Sequence, residues 1–341
     1  MDATDAVYTA HQFRLRSGVV LAEAPIAYVT QGRLAPDGRN TILLTHGYTS
    51  SHHFALGGPA ASEGSWGLLV GPGRPVDTDK YFVVAANMMG SSYGSIGPGS
   101  QNPATGHPYG PDFPDFTLSD IVAQQRALLD HLGVTHLHAV VGPSYGGFQA
   151  FQWAVDYPDF MDAIVAAVTS PFPPRQLGRG GLDDLIGYFA ADPSWNNGHH
   201  YGHLGIIEVM TKLRMNTLKG YGLEADLMQR FPDPDAREAE IRRIAGEWAR
   251  VFDPNSLIAL RKASMRFDVR PDLSRIKARV LYVLSRTDAL FPPALRDEVM
   301  RALADAGVRG EYVEIDSDRG HLASGLDAAK WADRLDRFLN G

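Results

Sequence analysis

Short apolar runs rich in β-branched residues alternate along the chain with segments whose apolar positions recur every three or four residues. The runs are TILLT (41–45), YFVVAA (81–86), LHAVV (137–141), AIVAAV (163–168), RVLYVLS (279–285) and EYVEI (311–315). Strands alternating with helices predict a mainly parallel sheet covered on both faces. Two earlier segments, around QFRLRS (12–17) and IAYVTQG (26–32), predict a leading antiparallel pair, for about eight strands in all.

The segment TLSDIVAQQRALLDHLG (117–133) opens with a capping box, Thr117 and Asp120, and sets Ile121, Leu128 and Leu132 on one face before Gly133 stops it. It predicts a crossover helix. Trp331, Leu335 and Leu339 predict another at the end of the chain. Between the strands ending near Val168 and starting at Arg279 lie about 110 residues without a strand pattern, far more than an ordinary connection. This stretch predicts an inserted helical cap. Ile206, Val209, Met210 and Leu213 form one of its helical stripes, and Ile241, Ile244, Trp248 and Val251 another. Proline-rich SPFPPR (170–175) and RFPDPDA (230–236) punctuate it. The expected division is a core over 1–170, a cap over 171–272 and the rest of the core over 273–341.

Composition narrows the function classes. A net charge of −7 and the lack of a basic stripe argue against a nucleic-acid partner. No 20-residue apolar stretch predicts a membrane span. With no cysteine there is no disulfide and no thiolate nucleophile, which leaves Ser, Thr, Lys or a carboxylate for covalent chemistry. The N-terminal MDATDAVYTAHQ shows no basic region followed by an apolar one, giving a cytoplasmic expectation.

GPSYG (142–146) fits G-x-S-x-G between a strand and an amphipathic segment, YGGFQAFQWAVDY, the context in which a sharp turn lifts a serine hydroxyl above a sheet. Ser144 is therefore the candidate nucleophile. Asp288, in the loop after RVLYVLS, and His321, 33 residues later after EYVEI, supply acid and base in the order this architecture uses. Loops at the carboxyl ends of the strands bring all three to one sheet edge. A tetrahedral intermediate needs two backbone donors, expected from the amides of Tyr145 and of Tyr48 in HGYTSS (46–51). HHYGH (199–203) lacks the H-E-x-x-H glutamate and predicts a cap loop lining the entrance. The glycine-rich MMGSSYGSIGPGS (88–100) lacks a P-loop lysine. No metal and no cofactor are expected. Tyr188, Trp195, His199 and His200 are candidate pocket residues.

The block from ANMMGSSYGSIGPGSQNPATGHPYGPDFP to VVGPSYGGFQAFQWAVDYPD, with ADPSWNNG (191–198) and DPNSLIALRKASMRFDV (253–269), resembles the homoserine O-acetyltransferase family of the α/β-hydrolase superfamily over nearly the whole chain. The resemblance implies the α/β-hydrolase fold, a triad of Ser144, Asp288 and His321, oxyanion donors Tyr48 and Tyr145, and dimerisation through the cap helices. Three departures stand out. Ile186 occupies the position expected for the arginine that holds the homoserine carboxylate, and Leu322 that of the aspartate facing the substrate amine. Pro143 and Tyr145 replace the usual glycine and methionine beside the serine. An α-amino acid bound without partners for its two charges is expensively desolvated, which disfavours homoserine as acceptor.

The first expectation is hydrolysis of a small ester or amide through an acyl-enzyme, with a small-molecule acyl substrate as the partner. The second is O-acyl transfer from acetyl-CoA to an alcohol other than homoserine. A ligand-binding receptor on a hydrolase fold is the third, since fold alone does not fix function.

Overall fold

The computed structural model describes residues 3–56, 65–174 and 179–341; the start of the N-terminal segment and Arg175 of the proline-rich stretch lie outside them. Its strands are β1 (Thr4–Arg14), β2 (Val20–Gln31), β3 (Thr41–Thr45), β4 (Val70–Gly71), β5 (Val76–Asp77), β6 (Phe82–Ala86), β7 (Leu137–Pro143), β8 (Met161–Ala167), β9 (Arg279–Ser285) and β10 (Gly310–Ile315). Eight of them form one sheet in the order β1-β2-β6-β3-β7-β8-β9-β10, while β4 and β5 make a separate pair. From β6 to β10 every pairing is parallel. β1 and β2 are antiparallel, and β2 joins β6 antiparallel.

The leading pair is longer than its apolar signal. β1 begins at Thr4, because as the edge strand it is largely exposed and carries little hydrophobic pattern. Arg16 and Ser17, expected in a strand, fall in the turn closed by Leu15 N–H donating to Val19 O at 2.8 Å. In the central strands alternation sends successive side chains to opposite layers. Leu43 packs with Phe148, Phe151 and Trp153 on one face, whereas Ile42 and Leu44 pack with Trp66, Trp331 and Leu335 on the other.

Helix α1 (Leu118–His131) carries the expected capping box, Thr117 accepting from the Asp120 amide while Asp120 accepts from that of Thr117. Helix α2 (Tyr145–Asp156) follows β7 directly. Between β8 and β9 come α3 (Arg179–Ala190), α4 (Ile206–Gly220), α5 (Leu223–Leu227), α6 (Pro234–Ala249) and α7 (Pro254–Met265). The stripe on α6 packs as expected through Ile241, Ile244 and Trp248. Val251 departs from it: the helix ends at Ala249, and this side chain is exposed. After β9 come α8 (Leu295–Asp305), the short α9 (Ala323–Leu326) and α10 (Ala332–Asn340). Among the described residues no helix is long and apolar enough to cross a membrane.

Candidate active site

Ser144 stands where β7 turns into α2, at φ 54° and ψ −119°. That is the left-handed side of the map, normally left to glycine, and tertiary packing holds a serine there. Ser144 N–H donates to Ala167 O at 2.8 Å, and Thr169 Oγ1 donates to Ser144 O at 2.8 Å. The flanking glycines are a steric demand. A Cβ on Gly142 would sit 2.2 Å from Thr45 Oγ1, and one on Gly146 would sit 2.2 Å from Thr45 O. The end of β3 thus crosses so close to the turn that only glycine fits on either side of the serine.

His321 Nδ1 lies 2.8 Å from Asp288 Oδ2. Asp288 is buried, and its other oxygen accepts from the amides of Leu290 at 2.8 Å and Phe291 at 3.3 Å. One carboxylate therefore both shapes the loop after β9 and orients the imidazole. Two further aspartates ahead of His321, Asp316 and Asp318, are exposed and pair with Arg286. The His321 ring packs 4.9 Å from that of Tyr221 and 5.8 Å from that of Phe291.

Among the described residues neither the Tyr48 nor the Tyr145 amide donates to a protein acceptor, leaving both available to a developing oxyanion. Their side chains reach up to the cap. The Tyr48 hydroxyl donates to Leu257 O and the Tyr145 hydroxyl to Leu260 O at 3.1 Å, so α7 grips both residues. Burial raises both phenols above the usual range; Arg261 opposes this at both, and the Tyr48 phenol adds to it at Tyr145. Below the loop, His46 is fully buried, its Nδ1 2.8 Å from Gly47 O and its Nε2 2.8 Å from Asn87 Oδ1, and burial lowers its pKa to about 4.

Two spaces meet Ser144. The larger, about 470 Å³, is lined by aromatic and aliphatic groups including Tyr145, Phe148, Trp248 and Phe291. The smaller, about 20 Å³, is lined by Ser144, His321, Leu322, Tyr48 and Tyr221 among others. Leu322 is thus beside the site, its side chain packed with Met215, Leu218 and Leu227.

The remaining pocket candidates lie elsewhere. Ile186 and Trp195 line a separate cavity of about 160 Å³ next to Phe113 and Ile258. On α3 it is Leu185 that reaches the Ser144 cavity, and the next residue is turned about 100° away from it. Tyr188 donates to Val209 O at 3.2 Å, tying α3 to α4. His199 is exposed. His200 is buried 3.6 Å from Asp253 and, with His203, lines a different cavity beside residues 91–100, not the entrance to Ser144. Sequence reasoning missed Arg214 and Arg261, which line the Ser144 cavity from α4 and α7. Arg214 is 1% exposed, donates to Thr49 Oγ1 at 2.8 Å and lies over Trp248. Ile186 faces a cavity other than that of Ser144.

Residues 40–328 match the α/β hydrolase fold family. A homoserine O-acetyltransferase of Methanosphaerula palustris is 35% identical over 348 residues, covering 96% of this chain and 71% of that protein. Among solved structures, homoserine O-acetyltransferase from Bacillus anthracis superposes with a TM-score of 0.89 at 27% identity, over 100% of this chain and 98% of that one. Esterase E22 superposes with a TM-score of 0.88 at 25% identity, over 99% and 100%. Fold, elbow and sequence similarity agree: the chain belongs to the homoserine O-acetyltransferase family of α/β-hydrolase fold enzymes.

Proposed function

We propose that this enzyme is a serine acyl hydrolase acting on a small ester or amide. Ser144 Oγ attacks the carbonyl carbon as His321 takes the hydroxyl proton, and Asp288 steadies the resulting imidazolium. The amides of Tyr48 and Tyr145 hold the oxyanion. Collapse of the tetrahedral intermediate expels the leaving group with that proton and leaves an acyl-enzyme. Water, deprotonated by His321, then releases the acid.

The observation that carries the reading is the size of the space beside His321. An acceptor must reach this ring to lose its proton, and the space there, about 20 Å³, has room for roughly one water molecule. The side chain of Leu322, packed among apolar neighbours, also offers no charge to an incoming amine.

O-acetyl transfer from acetyl-CoA is the second reading, favoured by the sequence similarity to a homoserine O-acetyltransferase. One experiment separates the two. Wild type and Ser144→Ala are assayed on a panel of esters, and for thiol release from acetyl-CoA with and without homoserine. The chain has no cysteine to disturb the thiol signal. Serine-dependent ester hydrolysis without homoserine stimulation is expected. Thiol release that rises with homoserine and yields O-acetylhomoserine, with no hydrolysis of any ester, would overturn the hydrolase reading.

A further inference from the structure

Away from Ser144, three side chains with metal-ligand atoms converge on the edge of the sheet. Asp5 of β1 meets His52 and His53 in the loop after β3: His53 Nε2 lies 2.5 Å from Asp5 Oδ2 and His52 Nε2 lies 3.4 Å from Oδ1. The three sets of ligand atoms fall within 4.8 Å of one another. Asp5 precedes His53 by 48 residues, so no local spacing in the sequence reveals the cluster.

Hydrogen bonding alone leaves the arrangement incomplete at His52. This residue is 3% exposed, and its Nδ1 is buried with no hydrogen-bond partner among the described residues. Its Nε2 faces the carboxylate at a distance beyond the usual range for an N–H···O bond. A buried imidazole so poorly satisfied is costly, and a cation accepting the Nε2 lone pair would remove part of that cost. His53 and Asp5 are open to solvent and give an ion a way in.

The donor set selects the ion. Two imidazoles and one carboxylate suit zinc better than the all-oxygen preference of magnesium or calcium. Tetrahedral zinc with ligands at about 2.0–2.1 Å sets neighbouring ligand atoms roughly 3.3 Å apart. The His52 Nε2–Asp5 Oδ1 separation of 3.4 Å is close to this, and the 2.5 Å contact of His53 with the other carboxylate oxygen must widen. We propose that Asp5, His52 and His53 bind a zinc-type divalent metal ion, with water in the fourth position. The ion clasps β1 to the loop whose earlier residues, Tyr48 and Thr49, line the Ser144 cavity.

The test uses the full-length protein after chelator treatment, titrated with zinc chloride by calorimetry and followed by thermal melting. One equivalent per chain and a raised melting temperature are expected. Asp5→Asn and His53→Gln should each weaken binding at least about tenfold. Both replace solvent-accessible groups, and zinc-free melts check that each variant folds; if one does not, the other carries the test. Absence of saturable binding by the wild type overturns the proposal. So does unchanged affinity in the folded variants, or loss of binding only when His199 and His203 are replaced, which would place the ion in the cap loop.

Discussion

If packing forces Ser144 into its backbone conformation, glycine at this position should stabilise the fold relative to alanine, the reverse of the ordinary order. The pair φ 54°, ψ −119° is close to the first central position of a type II′ turn, where glycine dominates. Holding a residue with a Cβ there costs about 1–3 kcal/mol. Against this, glycine loses about 0.5–1 kcal/mol through the greater freedom of its unfolded chain. The difference leaves Ser144→Gly about 1 kcal/mol more stable than Ser144→Ala. At an unstrained site glycine would be about 1 kcal/mol less stable, so the two cases differ by roughly 2 kcal/mol. Both variants lack the hydroxyl, which keeps turnover out of the comparison. Urea unfolding followed by tryptophan fluorescence, with five tryptophans as reporters, measures the gap directly. A glycine variant no more stable than the alanine variant would refute the claim that the elbow stores strain.

Asp288→Asn keeps the shape of the side chain but upsets the tautomer of His321, and kcat on the best ester should fall about 10³–10⁴-fold; a fall under tenfold would remove Asp288 from the triad. Leu322→Ala enlarges the small space at His321 and costs about 2–5 kcal/mol of stability. In the presence of methanol its ratio of methyl ester to free acid product should exceed that of wild type, as read by chromatography. His46 supplies a pH prediction: its folded pKa, lowered to about 4 by burial, lies below the unfolded value of about 6.5. Its contribution is therefore complete above pH 6.5 and is lost as pH falls toward 4, a decline of about 3 kcal/mol. Denaturant unfolding from pH 7.5 to 4 should show this slope in wild type and a shallower one in His46→Asn; identical slopes would contradict it.

Legibility in the sequence follows the range of the forces involved. Gly142, Ser144 and Gly146 can be read directly because a close crossing by β3 and a sharp turn demand those residue types at fixed spacing. Asp288 and His321 can be read because each follows a recognisable strand at its carboxyl end, the buried β9 and the half-exposed edge strand β10. The cap resists such reading. Whether Leu185 or Ile186 turns toward Ser144 depends on how α3 lies on its neighbours, which the helical period does not encode. Arg214 and Arg261 look like surface cations on amphipathic helices until the fold brings Thr49 to one and the Tyr48 ring to the other. β1 is understated for the opposite reason, since an exposed edge strand needs few apolar residues.

The same geometry bears on how one fold can serve both transferases and esterases. Two spaces of very unequal size meet Ser144 here. The large cavity has the volume for an acyl group and its leaving group, whereas His321 looks into a space of about 20 Å³. That space is closed by the link between α4 and α5 packing down on the loop before His321. Gly222 approaches so tightly that a Cβ would lie 2.8 Å from the Arg319 backbone, and Leu322 N–H reaches Tyr221 O at 3.4 Å. An alcohol acceptor larger than water must therefore displace Tyr221 or enter through the large cavity after the leaving group departs. Water needs neither. On the proposed reading, acceptor choice follows from the cap's contact with the His321 loop, while the serine, the imidazole and the carboxylate would serve either reaction unchanged.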